Sequence, residues 1–206
     1  FIFIFLPLFL FAYYVTPAAF RNSTLFAGSI LFYAVVVIKQ PYALFLLMVL
    51  TYLNYVFGIR LYQIHNPRKK RLFLTKVIFL DFLWLFLFKY SLNLFLLLGI
   101  SFYTFQIAAY IIDVYRGRVP VEKSFIRLGT YVTMFPQLIA GPIVRFQSVQ
   151  AELKHREITW EKTGEGAARF VCGLCKKVLI ADSLAPLVSA MQNISETAAK
   201  TEAVVT

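Results

Sequence analysis

The sequence predicts an all-α fold, a polytopic bundle of transmembrane helices, on three observations. Hydrophobic residues make up 60% of the 206-residue chain, with 22 Phe and 12 Tyr, and the mean hydropathy of +0.71 exceeds what a soluble domain of this size carries. Charge-free runs cover Phe1 to Phe20, Asn22 to Ile38, Gln40 to Ile59, Tyr90 to Ile112 and Leu128 to Val144, and a helix crosses the hydrocarbon core with about 20 apolar residues. The runs are continuous rather than alternating with period two, which selects helices over a β-barrel.

From Phe1 to about Arg60 the chain reads as three hydrophobic helices broken near Pro17 and Pro41, where proline costs a helix least. The first run lacks a basic n-region and a small-residue cleavage pattern, so it reads as a span and not as a signal peptide. Asn66-Pro67 ends the third helix, because the residue before proline is biased away from the helical region. A basic connection follows, with Arg60, Arg68, Lys69, Lys70, Arg71 and Lys76 and no acid. The apolar stretch Leu72 to Phe88 is expected to span despite Asp81, giving five spans in all. The chain starts without Met and closes on Asn193 to Thr197 and Val204-Val205-Thr206. It is therefore expected to be one incomplete domain, residues 1–206, from the N-terminal part of a longer protein.

Positive-inside bias places the basic connection in the cytoplasm, together with Arg116, Arg118 and Lys123 after the next long run. Working back, Arg21 is expected in the cytoplasm and Lys39 outside, in a multi-pass membrane protein. The formal net charge of +11 lies between apolar runs and not along one soluble face. This pattern fits the lipid bilayer as partner and argues against nucleic acid.

Ser101, Thr104 and Gln106 interrupt an apolar span, where interhelical hydrogen bonds are the ordinary use of such residues. Asp113 and Arg116 stand three apart on the same helix, a spacing that favours a local ion pair. Ser124 to Ala140 reads as a further apolar helix. If it crossed fully, Arg145, Lys154 and Arg156 would face the wrong side. A re-entrant or broken helix near 124–145 removes the conflict, with breaks at Pro136 and Gly141-Pro142, and irregular backbone at that depth marks a cavity wall. Thr159 or Thr163 is placed to cap an amphipathic helix near 164–188, where Phe170, Val171, Leu174, Val178 and Ala181 recur at helical spacing. Cys172 and Cys175 have C-x-x-C spacing, but no second ligand pair accompanies them, so no metal site is expected.

Three co-linear stretches carry a resemblance. They are Gly99-Ile100-Ser101-Phe102-Tyr103 leading to Tyr110-Ile111-Ile112-Asp113-Val114-Tyr115-Arg116-Gly117, then Phe135 to Phe146 around Gln137 and Gly141-Pro142, and finally Lys176 to Asp182 with Leu184. Over roughly residues 95 to 188 the chain resembles the membrane-bound O-acyltransferase (MBOAT) family. It looks like the alginate O-acetylation branch more than the teichoic-acid D-alanylation branch.

That resemblance implies an acyltransferase moving acetyl groups from a cytoplasmic thioester donor, acetyl-CoA or an acyl carrier, toward hydroxyls of an extracellular polysaccharide such as alginate. It implies no bound cofactor, and partner proteins on the outer side that handle the polysaccharide or complete the acyl transfer. The family's histidine belongs to a later apolar segment. His65 and His155 lie outside any hydrophobic span, so no catalytic residue is expected in this stretch. Gln137, Gly141, Pro142 and Arg145 are the expected walls of the cavity or its cytoplasmic mouth, with Ser101, Gln106, Asp113 and Arg116 next. Arg145 is the cation expected to attract an anionic donor. The competing readings are a teichoic-acid D-alanyl transfer protein and a non-catalytic transporter or assembly subunit. Inverted repeats and paired broken helices would mark a transporter, and the sequence contains neither.

Overall fold

In the computed structural model, residues 2–91, 99–138, 141, 143–156 and 158–191 are described. Among them every regular element is helical, as the composition predicts. The chain forms two compact units, Phe1–His155 and Arg156–Thr206.

The first unit opens with α1 (Phe5–Val15), α2 (Arg21–Val36) and α3 (Tyr42–Gln63). Pro17 and Pro41 stand at the two breaks, as expected. The first run does not form a full span. Its helix is 11 residues long and stops at Thr16, whose extended backbone precedes Pro17. Among the described residues two helical stretches, Ala18–Val36 and Tyr42–Gln63, are long and apolar enough to cross a membrane, where the runs suggest five spans.

The next helix, α4 (Pro67–Phe86), starts earlier than expected. The Asn66 side chain accepts from the amides of Arg68 and Lys69 at 3.0 and 3.3 Å, and Pro67 occupies the first helical position. Arg68 to Lys76 are thus helical rather than a connecting turn. The long run from Tyr90 is also interrupted. A π-helical turn, Leu87–Ser91, ends α4, and α5 (Ile100–Tyr115) begins only after Gly99. Residues 92–98 of that run lie outside the described residues.

The remainder of this unit is α6 (Phe125–Thr133), the short α7 (Phe135–Leu138) and α8 (Phe146–Lys154). A broken helix is present, but its break is at Met134, and Pro136, an expected break, lies inside α7 instead, in its first turn where proline is tolerated. The break is tied to α2, because the Phe135 amide donates to Ser29 Oγ at 3.3 Å and Thr130 Oγ1 donates to Asn22 O at 3.1 Å. Phe135 itself meets Phe5 and Phe9 edge to face, at 5.5 and 5.1 Å between centroids. Tyr33, Leu47, Tyr103, Ile107, Ile111, Tyr131 and Phe146 are fully enclosed at the centre of the unit.

The second unit contains α9 (Trp160–Lys176) and a π turn, Lys177–Ala181, with helix continuing over 182–191. Thr159 is the cap, accepting from the Lys162 amide at 3.2 Å. Phe170, Val171 and Val178 are exposed along it, as befits an amphipathic helix.

Candidate functional site

The site grows from the broken helix. Where α6 stops, its carbonyls need donors from outside the regular ladder. Two glutamines supply them to one oxygen. Gln106 Nε2, buried on α5, donates to Tyr131 O at 2.8 Å, and Gln137 Nε2, on α7, donates to the same carbonyl at 2.7 Å. Two of the motifs that are separate in sequence thus converge on one backbone atom. They meet a second time at Gly99, which takes φ 82° to start α5. A Cβ built there would lie 2.5 Å from Leu138 O. Only glycine tolerates both the dihedral and the approach.

Beyond the break, the Tyr131 hydroxyl donates to Val144 O at 2.8 Å. The Phe146 ring sits between Tyr110 and Tyr131, edge to face at 5.0 and 5.1 Å. Arg145 lies between these two anchors. Its side chain is exposed, and its extended backbone leads into α8. The arrangement holds the backbone of a cation in place while leaving its guanidinium accessible. Gly141 donates its amide to Gln137 O at 3.1 Å, and a Cβ there would overlap Gln137 Cα, so the chain closes tightly on the glutamine. Pro142 lies outside the described residues.

Of the other expected residues, Ser101 is half-buried near the start of α5 and Asp113 is buried near its end. The expected Asp113–Arg116 pair does not form. Asp113 Oδ1 instead lies 3.5 Å from Arg118. The cause is the helix end, since Arg116 caps α5 and Gly117 turns the chain at φ 69°. The amides of Gly117 and Arg118 then bond back to Val114 O and Asp113 O. This Schellman closure returns Arg118, not Arg116, over the last turn. Arg116 is left exposed.

The following loop is pinned from three sides. The Glu122 amide donates to the Tyr110 hydroxyl at 2.9 Å, and the Tyr55 hydroxyl donates to Lys123 O at 2.8 Å. Glu122 Oε1 accepts from Arg127 at 2.7 and 3.0 Å. Sequence reasoning missed Tyr131, Phe146 and Ser29 as organisers of the site. In the sequence the two aromatics look like ordinary core, and a single serine inside an apolar run was the one signal for Ser29.

The arrangement builds a rigid, glutamine-braced bend with an exposed cation at its end. His65 and His155 are both exposed. Among the described residues no group of three His, Cys, Asp or Glu side chains is placed to hold a metal ion.

No family model matches the chain, and no solved structure matches it. Similarity to individual proteins is extensive. A probable alginate O-acetylase (AlgI) of Azotobacter vinelandii is 39% identical over 209 residues, covering 91% of this chain and 41% of that protein. The probable alginate O-acetylase of Pseudomonas aeruginosa is 38% identical over 218 residues, covering 94% of this chain and 41% of its own length. A peptidoglycan O-acetyltransferase of Helicobacter pylori is 28% identical over 234 residues, covering 90% and 44%. The chain spans about two fifths of the length of the alginate relatives it matches. Along nine tenths of its length the chain is therefore similar to proteins of the membrane-bound O-acyltransferase family, on its alginate O-acetylase side.

Proposed function

We propose that the protein to which this chain belongs is a multi-pass enzyme of the bacterial cytoplasmic membrane that transfers acetyl groups to hydroxyls of an extracellular polysaccharide such as alginate. The observation that carries this reading is the similarity to alginate O-acetylases along nine tenths of the chain. The donor is a cytoplasmic thioester, acetyl-CoA or an acylated carrier, and the enzyme needs no bound cofactor. A hydroxyl attacks the thioester carbonyl, the carbon–sulfur bond breaks, and the thiol leaves with the proton as the ester forms.

In this reading Gln106, Gln137, Gly141 and Pro142 shape the wall at the broken helix, with Ser101 and Asp113 on the adjacent α5. Arg145 and Arg116 supply exposed positive charge toward the donor's anionic portion. The base that takes the hydroxyl proton lies outside this stretch. Partner proteins on the outer face complete delivery to the polymer. Teichoic-acid D-alanylation fits less well, because the similar proteins carry O-acetylase and O-acetyltransferase names.

The test uses membranes containing the intact protein and its partners, a labelled acetyl thioester and alginate. Labelled ester on the polymer is expected, and Arg145→Gln should raise the donor KM several-fold with kcat little changed. Absence of transfer with donor, acceptor and partners present would overturn the reading. For the topology, a cysteine placed at Lys39 should react with an impermeant reagent from outside, and labelling only from the cytoplasmic side would refute it.

A further inference from the structure

The basic start of α4 runs against helix electrostatics. A helix N-terminus carries the positive end of the macrodipole and ordinarily attracts acids. Here the first turns hold Arg68, Lys69, Lys70 and Arg71 with no acid in the first turn. The amides that could otherwise draw an anion are already occupied, since Asn66 caps those of Arg68 and Lys69. The unit offers no internal compensation. Its acidic residues through His155 are Asp81, Asp113, Glu122 and Glu152. Asp81 is bonded to Asn54, Asp113 and Glu122 are paired with Arg118 and Arg127, and Glu152 lies on α8.

Beside this cluster an open pocket of about 630 Å³ is lined by Tyr62, Gln63, Ile64, His65, Pro67 and Lys70. Its walls mix an apolar floor with donors. Lys70 is half-buried, and its Nζ lies 5.7 Å from the centre of the Tyr115 ring, a cation–π contact that orders the ammonium from one side. The depth is set by α3, whose 22 residues extend roughly 33 Å at about 1.5 Å each, enough to cross the hydrocarbon core. The junction of α3 and α4 at residues 62–70 therefore sits at headgroup level.

We propose that this pocket binds the phosphate headgroup of an anionic phospholipid. His65, Lys70 and the neighbouring Arg68 and Lys69 face the phosphate, while Tyr62 and Ile64 lie against the glycerol and upper acyl region. An acidic soluble protein would meet the same charge, but the mixed apolar and cationic lining at headgroup depth matches a lipid. The bound anion also neutralises charge at the wrong end of α4. This site is independent of the acyl-transfer reading.

The test places the intact protein in nanodiscs of phosphatidylcholine with and without phosphatidylglycerol. Retained lipid is read by mass spectrometry and stability by thermal unfolding. Phosphatidylglycerol should be enriched over its bulk share, and each cation removed should lower the enrichment on the order of fivefold. The triple variant Arg68→Gln, Lys69→Gln, Lys70→Gln should reverse sign with lipid. In pure phosphatidylcholine it should unfold at the same or a higher temperature than the parent, and in phosphatidylglycerol at a lower one. Lys39→Gln, at the other end of α3, should change neither reading. Three results would each overturn the proposal: an unchanged lipid preference in the triple variant, the same stabilisation from inorganic phosphate alone, or capture of an acidic protein through these cations without lipid enrichment.

Discussion

Replacing Gly99 by alanine tests whether the two motifs meet as described, and Gly117 supplies an internal control. Both glycines have positive φ, 82° and 69°. For an L-residue the left-handed region costs roughly 1–2 kcal/mol, and alanine recovers about 0.4–1 kcal/mol by restricting the unfolded chain. These two effects act equally at both positions and cancel in the comparison. The surroundings differ. A Cβ at Gly117 meets nothing within 4 Å, whereas at Gly99 it lies 2.5 Å from the Leu138 carbonyl oxygen. That oxygen is backbone and cannot rotate aside, so the start of α5 must part from α7, an overpacking cost of about 1–3 kcal/mol.

Gly99→Ala is therefore expected to destabilise more than Gly117→Ala by about 1–3 kcal/mol, from the overpacking cost alone. Gly117→Asn should lose less than Gly117→Ala, because asparagine tolerates the left-handed region. The assay is reversible denaturation of the intact protein in bicelles, followed through tryptophan emission. Equal losses for the two alanine variants would show that Gly99 does not abut Leu138, and the convergence of the motifs would fall with it.

Further outcomes follow from individual contacts. Gln106→Leu and Gln137→Leu should each cost about 1 kcal/mol, but the double variant should cost more than their sum. Only the double removes both side-chain donors to Tyr131 O, and an additive denaturation cycle would refute the shared acceptor. Asp81 is fully buried and accepts from Asn54 Nδ2 at 2.8 Å, while its second oxygen has no partner. Asp81→Asn should thus change stability by less than about 1 kcal/mol, whereas Asp81→Lys should abolish folding in a detergent-solubility assay, as an unpaired buried cation would. Arg118→Ala should cost no more than about 0.5 kcal/mol because the pair is half-exposed. Arg116→Ala should cost less still, and the reverse order by thermal unfolding would restore the pairing expected from sequence spacing.

The class of fold was legible from composition and from local signals. Uninterrupted apolar runs dictate helices in a bilayer, prolines mark their breaks, and capping residues such as Thr159 announce helix starts. The broken helix was legible too, because a full crossing would have put Arg145 and Lys154 on the wrong side. Other local features misled by a few residues. Asn66 reads as a helix stop before proline, yet the same asparagine caps the next helix, so the basic turn became the first turns of α4.

Partnership was decided only by tertiary structure. Gln106 and Gln137 were separate candidates in the sequence, and nothing in their spacing says that both reach Tyr131 O. Asp113 chose Arg118 over Arg116 because a left-handed glycine folds the chain back after the helix. Hydrophobic periodicity and capping are written in neighbouring residues and survive without a fold. A hydrogen bond between residues 25 positions apart exists only once packing has fixed where each backbone stops.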